Sequence, residues 1–273
     1  TVEGEAYYKD AQGDCWRVYD FVTRSVCLQK IERAEDFYEC AFAFGRFQQT
    51  MAQFPAATLV ETIPNFHNTP DRYQKLSRAI AEDRMNRVKD VSEEITFALS
   101  LVQEVGKLHS LRESGALPTR VTHNDTKINN VLMDEITGKA LCVIDLDTVM
   151  PGLAAYDFGD SIRFGAATAA EDEEDLGKMR LDVSLFETYT RGFLAACKNL
   201  TALEIETLPL GALTMTQECG VRFLTDYLEG DTYFKIHRPD HNLIRCRTQF
   251  TLAADIKRHL PKLQEIVAAV SRG

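Results

Sequence analysis

The chain has 273 residues, of which 45% are hydrophobic, so it is long enough to bury a sizeable core in one or two domains. A net charge of −10 argues against a nucleic-acid-binding surface, and no apolar run approaches the ~18 residues of a membrane span. The seven cysteines are scattered, odd in number and without a Cys-x-x-Cys pair, which reads as reduced thiols in a cytoplasmic protein rather than a disulfide framework or a zinc site.

Strand-like segments come first, over Glu5 to Lys9 and Trp16 to Leu28, with a turn at Gln12-Gly13-Asp14 between them. Glycines in the first fifty positions are Gly4, Gly13 and Gly45, which make no Gly-x-Gly-x-x-Gly. Apolar spacing predicts helices over Ala34 to Gln53, Asp71 to Asp83 (capped by Thr69 or Asp71) and Val91 to Glu113, the last ended by Gly115 and Pro118. Pro64 and Pro70 bracket a loop in which His67 reads as bonded to backbone rather than to a ligand. Further helices are expected at Val183 to Cys197, Leu208 to Leu228 and Asn242 to Val270, after a solvated acidic stretch from Ala166 to Glu174. No repeat or low-complexity linker interrupts them.

Between the helices lies the segment that carries chemistry. Val121-Thr-His-Asn-Asp-Thr-Lys-Ile-Asn-Asn-Val-Leu132 has the form His-x-Asp-x-x-x-x-Asn, and Val143-Ile-Asp-Leu-Asp147 adds Asp-x-Asp after an apolar strand. A hairpin bend at Gly138 joins the two halves. Kinase-like phosphotransferases arrange a base and metal ligands in this way. Phosphoryl transfer needs one carboxylate to accept the hydrogen bond of the attacking hydroxyl, and Asp125 is the candidate. Mg²⁺ takes hard oxygens and keeps waters and phosphates in its shell, so Asn130 and Asp145 suffice as protein ligands, with Asp147 as a further ligand or an outer contact. Lys127 is placed to neutralise the γ-phosphate. His123 and Asp157 are read as structural supports of the loop.

The region from His123 to Ala166 resembles the aminoglycoside-phosphotransferase and choline-kinase superfamily. The segments Glu61-Thr-Ile-Pro-Asn-Phe-His-Asn-Thr-Pro70, Val143 to Gly152, Tyr156 to Gly165 and Val221 to Asp231 are similar, more narrowly, to N-acetylhexosamine 1-kinases. The resemblance implies an α+β, protein-kinase-like fold with a mostly helical C-lobe over residues 30–273. Residues 1–29 would be the remnant of a truncated β N-lobe, its last hairpin and hinge, with the strands of a phosphate-covering loop missing. The implied activity is ATP-dependent phosphorylation of the anomeric hydroxyl of N-acetylglucosamine and N-acetylgalactosamine by a cytoplasmic monomer, with ATP as co-substrate and Mg²⁺ as cofactor. A chain without that loop is expected to be poorly active alone. Adenine contacts are expected at Val18, Asp20 and Val22, flanked by Leu132 and Ile144. Sugar contacts are expected at Asp125, Arg222, Tyr233 and Phe164.

The residues themselves leave alternatives open. Arg222 can pair with Asp226 one helical turn on, and Tyr233 and Phe164 can be core. Another acceptor (a different sugar, homoserine, choline or an aminoglycoside) and a non-catalytic sugar-binding pseudokinase remain rivals. The segment from Arg222 to Arg247, rich in cations and aromatics, suits a neutral sugar better than a polycation.

Overall fold

In chain order the elements begin with a small antiparallel ribbon of β1 (Tyr8–Lys9) and β2 (Cys15–Trp16), registered Tyr8 to Trp16. The computed structural model describes residues 1–2 and 4–273. The Asp10 carboxylate closes the ribbon, accepting from the N–H groups of Gln12 and Asp14 and from the Trp16 indole at 2.8 Å. Strand structure is shorter than the sequence suggests. Of Trp16 to Leu28, Trp16 ends β2 and only Ser25–Cys27 forms a further strand, β3; just before it the chain turns at Arg24, where φ is +54°, and Ser25 Oγ bonds back to the Val22 carbonyl.

The helical body follows. α1 (Ala34–Thr50) places Glu35 and Asp36 in its first turn, where they complement the helix dipole, and buries Phe37, Cys40, Ala41 and Phe44. α2 (Thr69–Glu82) starts earlier than expected. Asn68 caps it by accepting from the Asp71 N–H, and Pro70 sits in the first turn, where a missing donor costs nothing. The Val91 to Glu113 helix is broken into α3 (Ser92–Ser100), α4 (Val102–Val105) and α5 (Lys107–Glu113). At the first break the Leu101 N–H bonds to Ala98, three residues back, instead of four.

Next come β4 (Arg120–Thr122), β5 (Val131–Asp134), β6 (Ala140–Val143) and β7 (Met150–Gly152). β5 and β6 form the expected hairpin, with Gly138 at φ +67°, and β3 adds to the free side of β5 to make an antiparallel sheet in the order β3-β5-β6. β4 and β7 pair separately, Val121 opposite Pro151. α6 (Ala154–Gly165), α7 (Val183–Ala196), α8 (Ala202–Glu229) and α9 (His241–Ser271) complete the fold. α8 begins six residues before the expected Leu208, because Thr201 and Glu204 form a reciprocal capping box.

Two contacts decide where the working loop sits. Phe158 of α6 meets the edges of Tyr189 and Phe193 on α7 at 5.4 and 5.6 Å, so α6 is locked into the aromatic core. α6 also crosses α8 backbone against backbone. A Cβ on Gly159 would overlap the Gly211 carbonyl, and one on Gly211 would overlap the Ala155 carbonyl. Glycine is required at both positions by this approach.

Candidate functional site

The loop between β4 and β5 is suspended from α6 by main-chain bonds. Asp157, fully buried, accepts from the N–H groups of His123 (2.9 Å) and Asn124 (2.8 Å) and from the Gln48 amide (2.6 Å). Burial pushes its pKa up, and those donors oppose the shift. One turn on, Asp160 accepts from the Thr126 N–H at 3.0 Å and pairs with Arg163 at 2.9 Å. Burial pushes Asp160 up, but Arg163, Lys127 and His67 outweigh it and leave the carboxyl below its usual range. Ser161 Oγ donates to the Thr126 carbonyl and in turn accepts from Tyr189 OH. Asp157 lies under the loop. Asp160 and Ser161 were not singled out, although Asp-x-x-Asp-Ser is a helical i, i+3, i+4 spacing.

Within the loop, Asn124 is left-handed at φ +65°, stabilised by its side chain, which donates to the Thr148 carbonyl at 2.9 Å. Asp125 is half-buried. Its Oδ1 pairs with Lys127 Nζ at 2.7 Å, and its Oδ2 accepts from Asn130 Nδ2 at 3.0 Å. Burial pushes the Lys127 pKa down, but Asp125 and Asp160 overcompensate and raise it, which keeps the ammonium charged. His123 accepts the Asp125 N–H on Nδ1 at 3.3 Å and donates from Nε2 to the Ile144 carbonyl at 2.9 Å. The Ile144 N–H donates to the Asn130 carbonyl at 2.9 Å. Two bonds therefore fasten the residue preceding Asp145 to the Asp125 loop.

The residues fit a hard cation. The Asn130 NH₂ is engaged by Asp125, through its carbonyl and carboxylate, which directs the amide oxygen of Asn130 elsewhere. Asp145 is exposed and left-handed at φ +61°, and neither an ion pair nor a side-chain hydrogen bond engages its carboxylate among the described residues. Asp147 is differently placed, since the Arg17 guanidinium holds its carboxylate and Thr62 Oγ1 donates to its carbonyl. Among the described residues no cluster of three or more His, Cys, Asp or Glu side chains is placed to hold a metal ion.

A cleft of about 640 Å³ opens above this loop and brings Asp125 and Lys127 together with Phe164, Arg222, Tyr233 and Phe234. The Arg222 guanidinium does not pair with Asp226. It lies 5.2 to 5.8 Å from the ring centres of Phe66, Phe234 and Tyr233. Asp226 is otherwise engaged, accepting from the N–H groups of Thr232, Tyr233 and Phe234 and from the Asn242 amide, all within 3.0 Å. It thereby pins the strap that carries Tyr233 over the cleft. Tyr233 is 67% exposed and Phe164 half-buried at the cleft wall, so Tyr233 does not belong to the core. His67 reaches the same cleft and is bonded to the Asn124 carbonyl, as expected of a loop histidine, and also to Glu218. Glu218, buried in the middle of α8, was missed. Its signal is a charged residue in the middle of a long helix rich in apolar residues.

Val18, Asp20 and Val22 do not line this cleft, and neither do Leu132 and Ile144. Val18 is 94% exposed and Asp20 is exposed, while Val22, Leu132 and Ile144 are half-buried.

Residues 4–195, from the first ribbon through α7, match the profile of the APH phosphotransferase enzyme family. The chain belongs to that family. The phosphotransferase is similar in fold to choline kinase from Cryptosporidium parvum Iowa II, with a TM-score of 0.54 at 14% identity over 90% of this chain and 72% of the other. A microcompartment-associated aminopropanol kinase aligns with a TM-score of 0.49 at 14% identity over 95% and 76%. The α+β, kinase-like architecture expected from the sequence is the one observed. Among the described residues no helix is long and apolar enough to cross a membrane.

Proposed function

We propose that this phosphotransferase moves the γ-phosphoryl group of ATP to the anomeric hydroxyl of an N-acetylhexosamine. The observation that carries the reading is the wall of the cleft that Asp125 also lines, where a guanidinium without a carboxylate partner among the described residues stands near three aromatic rings. An acceptor with several ammonium groups would be repelled there. A neutral sugar can present hydroxyls to Arg222 and a ring face to Tyr233. The carboxylates of the cleft do not reverse this balance. Asp160 is bonded to Arg163, Glu171 to Arg163 and Glu218 to His67.

In this reading Asp125 orients the sugar hydroxyl and takes its proton as the O–P bond forms. Lys127 moves from Asp125 towards the transferring phosphoryl group, offsetting its charge. Asn130 and Asp145 would hold Mg²⁺, with Asp147 beside them, and the cation would offset charge developing on the phosphates. His123 keeps the Asp145 segment in register with the loop. Residues 1–29 would border the nucleotide, with Val18, Asp20, Val22, Leu132 and Ile144 near its base, and residues 30–273 would carry the acceptor.

Phosphorus NMR of the protein with Mg·ATP and a panel of hexoses, N-acetylhexosamines, choline, homoserine and kanamycin tests this. A new signal split by an anomeric proton, arising only with N-acetylhexosamines, is expected. Transfer to choline or kanamycin instead would remove the sugar assignment and leave the loop chemistry standing.

A further inference from the structure

His67 stands between the acceptor wall and the residue that precedes Asp125, and both of its ring nitrogens face oxygen. Nδ1 lies 2.9 Å from Glu218 Oε1 and Nε2 lies 3.3 Å from the Asn124 carbonyl. The second carboxylate oxygen of Glu218 accepts from Thr69 Oγ1 at 2.8 Å, so that carboxylate is fixed from two sides. Burial pushes the Glu218 carboxyl up, but His67 and Arg72 outweigh it and leave the group below its usual range. An ionised carboxylate and a carbonyl are both acceptors only. The ring can satisfy both contacts only with a proton on each nitrogen.

The carbonyl that His67 holds belongs to the peptide joining Asn124 to Asp125. The other polar groups of Asn124 are bonded within the loop's own frame, its N–H to Asp157 and its amide to the carbonyls of Thr122 and Thr148. The carbonyl alone is held from outside that frame, by a side chain whose anchor is on α8. The ring is packed against Phe66 at 4.4 Å and Tyr156 at 5.6 Å, which limits its rotation.

We propose that His67, as an imidazolium paired with Glu218, is a positioning residue for phosphoryl transfer: it fixes the plane of the peptide leading into Asp125 and couples that plane to α8, which carries Arg222. The proposal rests on Asp125 being the base. A misdirected carboxylate a fraction of an ångström away loses rate without losing ligand binding, because ATP and the sugar are held by other groups.

The test has a kinetic and a spectroscopic part. His67→Gln should lower kcat by about tenfold to a hundredfold and leave both KM values within about threefold. Glu218→Gln, which removes the charge that His67 pairs with, should lower kcat in the same direction. Equal loss in kcat and both KM values, or an unchanged kcat, would overturn the proposal. ¹⁵N NMR of histidine-labelled wild-type protein at pH 7 reads the imidazolium directly and needs no acceptor. Of the six histidines, one should show protons on both ring nitrogens with slow exchange, and that signal should vanish in His67→Gln. If the variants fold poorly, the wild-type spectrum decides alone, and the absence of such a ring refutes the pairing. If no N-acetylhexosamine is phosphorylated, the substrate assignment fails while the spectrum still settles the pairing.

Discussion

Asp125 is surrounded by groups that hold it without burying it: Lys127 on one carboxylate oxygen, Asn130 on the other and His123 on its N–H. An amide at this position keeps the shape and loses the proton acceptor. Asp125→Asn is therefore expected to reduce kcat by about a thousandfold or more, with nucleotide KM nearly unchanged, in a coupled ADP-release assay. Asp160 makes a different contribution, to stability. Its folded pKa lies below the usual range, so its stabilisation is present above the unfolded carboxyl's pKa and is lost as pH falls through the depressed folded value. Asp160→Asn should remove that share. Calorimetry should then show a shallower fall of Tm below about pH 4 than in wild type, together with a lower Tm at pH 7.

At the scale of elements, the loop is only as well placed as α6, and α6 is placed by its contact with α8. A methyl group at Gly159 must push the two helices apart, and about 2–4 kcal/mol of destabilisation is expected for Gly159→Ala, read as a fall in Tm of several degrees. The strap after α8 responds differently. Asp226→Asn turns one acceptor oxygen into a donor, which deprives one or two of the three backbone N–H groups of their acceptor, and should raise the acceptor KM by about tenfold while changing kcat little, measurable by steady-state kinetics. These elements differ in how far the sequence discloses them. The Asp134 to Lys139 turn, α1, α7 and the order of the loop residues follow from local chemistry: a glycine at positive φ, a 3.6-residue stripe, a fixed spacing. α6 was not foreseen as a helix, because nearly all of its residues are buried and its polar stripe of Asp157, Asp160 and Ser161 faces the loop rather than solvent. The role of Glu218 depends on His67 and Thr69, which lie far away in sequence, and that of Asp226 on a turn after the helix that brings the following residues back to it. The break at Leu101 is a tertiary adjustment that local propensity does not reveal.

Over the whole molecule, the seven cysteines are free and report on how tightly the body is closed. Burial pushes the thiols of Cys40 and Cys246 up, and those of Cys197 and Cys219 up to about 11. With an aromatic disulfide reagent at pH 8, Cys15 should react at once, and Cys27 and Cys142 more slowly. Cys40 and Cys246 should react only as the helical body opens, so their labelling rate should track global unfolding measured by circular dichroism. Rapid modification of all seven in native buffer would contradict the packing described here. The division of labour between α6 and the Asp226 strap also bears on descent. The proposed transfer machinery hangs from a helix whose glycines tolerate no enlargement, whereas the strap that brings Tyr233 to the proposed acceptor wall is held by side-chain bonds of Asp226, Asp231 and Arg238. Under the proposed function, lineages sharing this scaffold would exchange the acceptor by redrafting residues 231–240 while inheriting the loop unaltered, and libraries confined to that strap would be the place to search for new acceptors.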